Sequence, residues 1–281
     1  MHRVLSADDR LPLTCTRLGT CCHGHIILIT PWELALLAKG LGMTTRVVRE
    51  RFTNGGTLLR CDGPVGTHGP PARQVAACSL YDPERGCTVH EHRPLACRLY
   101  PLGRQRAAGK TAYYHPGEHL SCVDLCPTVS ELPAQTVGDY LRSQELAAGE
   151  AAHDAYALLA AGLVDAARSI AEHIPSLERS ILVSYLRELY ALPPETRAAR
   201  LPPAWYDRLT IPALDGGTGD PALFVAAHGQ VLATSLRNEF MVLSGDQALI
   251  RAAKLELALA AHLAPAVGVE AEPLVALLSR S

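Results

Sequence analysis

The chain has 281 residues, 48% hydrophobic and 19% charged, with a formal net charge of −2, which excludes a disordered chain and argues against a basic nucleic-acid-binding surface. No apolar run approaches the roughly eighteen residues of a membrane span; the best is Ala157 to Val164, and Asp8, Asp9 and Arg10 stand where a signal peptide needs apolar residues. The expectation is a cytoplasmic protein with neither nucleic acid nor membrane as partner.

In chain order, the short apolar run Ile26 to Ile29 reads as a strand. It leads into Thr30-Pro31-Trp32-Glu33, a capping box with proline at the first helical position, so a helix should run to about Lys39 and stop at Gly40 or Gly42. A second helix is expected over Arg46 to Phe52, followed by a glycine- and proline-rich loop from Asn54 to Pro71. Cys78 to Tyr81 and Cys87 to His90 read as strands joined by the turn sequence Asp82-Pro83-Glu84-Arg85-Gly86, and Pro94 opens a helical turn carrying Cys97.

Beyond this point the chain reads as helical. Tyr156, Leu159, Leu163, Ala167 and Ile170 mark one apolar face at helical spacing. Ile181, Leu182, Tyr185, Leu186 and Leu189 mark another, ended by Pro193 and Pro194. Pro202 to Pro221 shows no period and reads as a connection. Ser244-Gly245-Asp246-Gln247 is a second capping box, opening a helix that should reach about Leu263.

All nine cysteines lie within the first 126 residues, with eight of the twelve histidines. This composition shift places a boundary near Pro127 to Pro133. The predicted architecture is α+β: a small, irregular cysteine-rich metal-binding module (1–133) packed against a mainly α-helical region (134–281). Cytosolic thiols are kept reduced and serve metals or catalysis more often than disulfides, and an odd count fits complete pairing poorly.

Thiolates are soft ligands that select zinc or iron–sulfur clusters. The candidate ligands fall in local groups: Cys15 with Cys21 and Cys22, Cys78 with Cys87, then Cys97, then Cys122 with Cys126. Cys61 stands alone in a loop and is set aside as a non-ligand. Zinc modules favour C-x2-C knuckles, which this chain lacks, and Cys126-Pro127 has the Cys-Pro step that ends many cluster-binding runs. Iron–sulfur, as a 4Fe-4S or related cluster, is therefore the first expectation and zinc the alternative.

The order of these motifs resembles a known family. Cys15-Thr16-Arg17-Leu18-Gly19-Thr20-Cys21-Cys22-His23-Gly24, then Leu28-Ile29-Thr30-Pro31-Trp32-Glu33, Cys78, Cys87 and Arg93-Pro94-Leu95-Ala96-Cys97-Arg98-Leu99-Tyr100-Pro101 are similar to the bacterial cysteine-cluster family of zinc- or iron-chelating domains (YkgJ-type). The resemblance covers about Leu13 to Pro127. The family pattern begins C-x2-C-x2-C-C, and Leu18 stands where its second cysteine would be. A related branch includes flagellin lysine N-methylases. The resemblance thus implies a metal centre and leaves open methyl transfer from S-adenosylmethionine.

Arg93 and Arg98 flank Cys97 and could offset the negative charge of a tetrathiolate centre, or else pair with Glu91 or Asp82 at the surface. His23, His25, His90 and His92 could replace a thiol ligand or stand behind one. Tyr113, Tyr114, His115 and His119 could line a pocket near Cys122 or pack in the core. Asp215 to Asp220 is glycine-rich but lacks the preceding strand of a nucleotide loop, and no P-loop, G-x-S-x-G or H-E-x-x-H is present. The C-x3-C-x2-C of radical S-adenosylmethionine enzymes fails at Val129. Three function classes follow: an iron–sulfur protein with a redox or binding role, a cluster-dependent protein N-methyltransferase, and a structural zinc module whose helices face a protein partner.

Overall fold

The computed structural model describes residues 3–13, 19, 22–68, 73–107, 110–115, 133–174, 179–214, 218–240 and 245–280. Cys15, Cys21, Cys122 and Cys126 lie outside them, as do His119, Asp215 and Ser244. Along the chain the described helices are α1 (Pro31–Leu41), α2 (Thr45–Phe52), α3 (Leu95–Leu99), α4 (Val137–Ser143), α5 (Ala147–Ala171) and α6 (Arg179–Ala191). They continue as α7 (Pro194–Ala198), α8 (Pro203–Thr210), α9 (Pro221–Phe240), α10 (Asp246–Leu263) and α11 (Ala271–Leu278). With short strand pairs in the front half, the fold is α+β with a helical C-terminal region. None of the described helices is long and apolar enough to cross a membrane.

Local chemistry explains the element ends. Thr30 accepts from the Glu33 backbone N–H while the Glu33 carboxylate accepts from the Thr30 N–H, so the predicted capping box is complete, and Gly42 closes α1 in the left-handed conformation. Other expectations need correction. The segment Asn54 to Pro71 is not all loop: Thr53–Asn54 pairs with Leu58–Leu59, and Val65–His68 begins a hairpin. Ile26 to Ile29 forms no strand, only a bridge from Leu28 to Leu58. Pro202 to Pro221 holds α8, because proline at the first helical position spares a donor that is orphaned anyway. Helix α10 starts after Gly245, with no side-chain cap at that residue.

The chain divides into two compact units, Met1–Ile27 with Leu59–Ala148, and Leu28–Leu58 with Gly149–Ser281. This differs from a single cut at 133/134. In the first unit, Arg3–Val4, Lys110–His115 and Gly103–Ala107 form an antiparallel sheet with the longest strand central. Val65–His68 pairs with Arg73–Ala76, and Tyr81–Asp82 with Gly86–Cys87. Leu95, Leu99 and Leu146 form a small core with Tyr113 packed against it; the pocket expected near Cys122 lies outside the described residues.

The second unit is helical, and α1 belongs to it because Trp32 is buried in the same core as Tyr156, Leu163, Leu186, Trp205, Leu232 and Leu257. Burying each such large apolar side chain is worth about 2 kcal/mol. On the face expected of α5, Tyr156, Leu163 and Ala167 are buried, with Leu159 and Ile170 packed against the core. On α6, Leu182, Leu186 and Leu189 are buried but Ile181 is 48% exposed, a departure from the expected face. Arg46 and Arg49 of α2 both reach Asp207 of α8, at 2.8 and 2.7 Å.

Several polar groups sit inside this unit. The Glu33 carboxylate, 2% exposed, bonds His153 Nε2 at 3.0 Å. His262 Nε2 donates to the Gly55 carbonyl at 2.8 Å. Arg197 donates to the carbonyls of Ala261 and Leu192, at 2.6 and 2.9 Å. Each is thereby supplied with at least one hydrogen bond, as burial demands.

Candidate metal centre

Within the first unit, backbone pairing brings distant cysteines together. Gly19 accepts from the Cys22 N–H at 2.8 Å, and the Cys22 carbonyl accepts from the Cys78 N–H at 2.7 Å. The Tyr81 N–H then bonds the Cys78 carbonyl at 2.9 Å, and the tight hairpin places Tyr81 opposite Cys87. The hairpin strands are shorter than expected: Cys78 lies just before the first, and His90 falls in a 3-10 turn, His90–His92. Helix α3 supplies Cys97, as the Pro94 signal predicted.

These four cysteines line one small cavity of about 70 Å³, together with Cys61, His25, His90 and Arg93. Its walls are otherwise apolar, with Ile27, Leu59, Leu80, Val89 and Tyr100 among them. Cys22, Cys78, Cys87 and Cys97 are half-buried and Cys61 is exposed. Among the described residues, no three His, Cys, Asp or Glu side chains already stand as a metal-ligand set. Half of the eight expected ligands are described, and all of that half face this cavity.

Cys61, set aside as a non-ligand on its isolation in the sequence, nonetheless stands at the cavity wall. Its Sγ donates to the His25 carbonyl at 3.3 Å, and Asp62 next to it accepts from Ser79 Oγ at 2.5 Å. Ser79 also bonds the Arg60 carbonyl through both its N–H and its hydroxyl, at 3.0 and 2.9 Å. Residues 60–62 are thereby pinned beside Cys78. No local motif encodes this; the signal is the long-range pairing of the two segments.

Electrostatics agree with this convergence. Burial pushes the Cys78 thiol up to about 11, opposed by a hydrogen bond from the Leu80 N–H and reinforced by Cys61, Cys87 and Asp62. Burial, then Asp62, raises Cys61 as well. Thiols that oppose each other's ionisation will shed their protons when a cation neutralises the group, the condition for thiolate ligation.

Tight packing fixes the walls. Gly19 adopts φ +74°, and a Cβ there would lie 2.0 Å from the Tyr81 ring, so a larger residue would strain the backbone and force the ring to move. His23 donates through Nδ1 to the Gly19 carbonyl at 2.8 Å and meets Tyr81 edge-on, and it is not among the residues that line the cavity. His25 faces the cavity and meets Tyr100 edge-on, with ring centres 4.9 Å apart.

The two arginines divide their roles. Arg93 lines the cavity, donating through Nε to the His90 carbonyl at 2.9 Å and through Nη2 to Gln144 at 3.2 Å. Arg98 donates to the carbonyls of Arg93, Gln144 and Glu91, and its contact with exposed Glu145 is long, at 3.9 Å. Asp82 pairs instead with Arg85. Arg93 is thus placed to offset charge in the cavity, while Arg98 ties the surrounding backbone.

Residues 14–116 match a family model described as "CxxCxxCC: Putative zinc- or iron-chelating domain". That stretch holds the five described cysteines with Cys15 and Cys21, and ends before Cys122 and Cys126. No curated protein and no solved structure matches the chain. The family match supports metal binding by the cysteine cluster.

Proposed function

We propose that the protein, whose residues 14–116 match a zinc- or iron-chelating domain, is a cytoplasmic metalloprotein holding an iron–sulfur cluster on its front cysteines. The observation that carries this reading is the lining of one cavity by Cys22, Cys61, Cys78, Cys87 and Cys97. The donor set is soft and sulfur-rich, which suits iron–sulfur or zinc and disfavours hard cations. The absence of any C-x2-C knuckle favours the cluster. Cys22, Cys78, Cys87 and Cys97, joined by Cys15, Cys21, Cys122 and Cys126 from beyond the described residues, would hold it.

A bound cluster supplies one-electron redox chemistry, and the protein sets its potential through charge, hydrogen bonds to sulfur and exclusion of water. Here Arg93 contributes positive charge, and Ile27, Leu59, Leu80 and Val89 exclude water. Ordinary organic ligand sites occupy about 300–1,000 Å³. A cavity of about 70 Å³ suits a metal centre better than a nucleoside cofactor such as S-adenosylmethionine. An electron-transfer or binding role therefore ranks above methyl transfer.

Anaerobic purification followed by iron, zinc and acid-labile sulfide analysis tests the reading. The expected result is brown protein containing iron and sulfide, with broad visible absorption that bleaches on adding dithionite. Colourless protein holding stoichiometric zinc would overturn the cluster and leave a structural zinc module.

A further inference from the structure

The helical unit contains a second cavity, remote in chemistry from the first. Helices α5, α9 and α10 leave an open cleft of about 730 Å³, a volume typical of small-molecule sites. Leu159, Leu163, Ile170, Leu232, Leu236 and Phe240 are among its apolar walls. Among the described residues its lining carries two charged side chains, Arg237, which is exposed, and Glu256 of α10, which is 7% exposed. Glu256 Oε2 makes no hydrogen bond among the described residues.

A carboxylate in apolar surroundings is normally paired with a cation or hydrogen-bonded throughout, because leaving it bare costs several kcal/mol. Burial holds the carboxyl up at about 8, and among the described residues no positive neighbour opposes it. The missing element is a cation that can enter an apolar cleft. An alkyl chain would cover the leucines, and an ammonium group would meet the carboxyl.

We propose that this cleft binds a small amphiphilic amine, its alkyl chain between α5, α9 and α10 and its ammonium paired with Glu256. The exchange balances simply. Near neutral pH the protonated carboxyl gives its proton to solvent as the ammonium arrives, leaving a carboxylate–ammonium pair. Binding therefore releases one proton per ligand near neutral pH and none at a pH well above 8, where the carboxyl is already ionised.

Calorimetry on the full-length, metal-loaded protein tests this with octylamine, octanol and octanoate, three probes that share one alkyl chain. Octylamine should bind most tightly, with proton release seen as a heat that depends on the buffer's ionisation enthalpy. Glu256→Gln, an isosteric change that removes a costly buried acid, should fold normally by circular dichroism, weaken octylamine about tenfold or more and leave octanol unchanged. Equal binding of octanol and octylamine, or an unchanged octylamine affinity in Glu256→Gln, would overturn the proposal. Preference for octanoate would also overturn it, assigning recognition to Arg237. So would a failure of all three probes, with sedimentation showing a dimer that Leu158→Glu dissociates.

Discussion

The Tyr156 hydroxyl and His228 Nδ1 lie 2.9 Å apart at the centre of the helical unit, both fully buried. His228 Nε2 sits 2.9 Å from the Arg208 carbonyl, which can only accept, so Nε2 carries the ring proton and the tyrosine donates to Nδ1. The pair is satisfied with a neutral imidazole and loses its acceptor if the ring is protonated.

Stability should therefore depend on pH in two opposing ways. Burial holds His228 and His262 down at about 4, so stability is lost as pH falls from about 6.5 toward 4, where the unfolded chain takes up protons and the folded chain does not. Glu256, raised to about 8, acts oppositely: the folded carboxyl keeps a proton that the unfolded one releases above about 4.5, so stability falls as pH rises to 8. Each unbalanced proton is worth about 1.4 kcal/mol per pH unit. Denaturant unfolding followed by far-ultraviolet circular dichroism should show a maximum near pH 6.5. Glu256→Gln should flatten the alkaline limb and His228→Gln should soften the acid one.

Glu33→Ala should destabilise the helical unit by about 3 kcal/mol, since it removes a buried, hydrogen-bonded carboxylate and strands His153. Loss of the capping box alone would account for about 1 kcal/mol. Combining Glu33→Ala with His153→Ala in a double-mutant cycle separates the two, and a coupling near zero would assign the whole effect to the cap.

Cys97→Ser and Cys78→Ser should each lose most bound metal, because both half-buried cysteines line the cavity. Cys61→Ser should retain it. That thiol is exposed and already bonded to the His25 carbonyl, a contact that a serine hydroxyl can replace. Metal-to-protein ratios of the three variants decide the matter, and equal loss in all three would make Cys61 a ligand.

Gly19→Ala should weaken the front unit by about 1–3 kcal/mol through a strained backbone and a clash with Tyr81. Adding Tyr81→Ala should recover the part due to the clash and leave the part due to φ. Thermal unfolding and metal retention of the single and double variants read this directly.

What could be read from the sequence was local. The Thr30–Glu33 box, the turn after Tyr81 and the Pro94 start of α3 each depend on residues within a few positions of one another, and each is present. Helix α8 was hidden because its turns follow prolines and its buried residues, Trp205 and Leu209, give a single repeat too short to establish a period. Helix α9 was hidden by Gly229 and by its alanine content, which blur its apolar stripe. The side-chain bond of Asp220 to the Ala222 and Leu223 N–H groups marks its start, inside what read as a loop. The placement of Cys61 depends on Ser79, eighteen positions away in sequence, and no local pattern reports such a contact.

The stretch that matches the family model is not the stretch that holds together physically. Residues 14–116 contain α1 and α2, yet these belong with Gly149–Ser281, and the chain passes from one unit to the other three times. A gene fragment encoding only that stretch would strip Trp32 of the core it is buried in and Leu36 of the core it packs against. The family match and the folding units thus draw different borders on this chain. Cut out alone, the cysteine block would need another hydrophobic seat for α1.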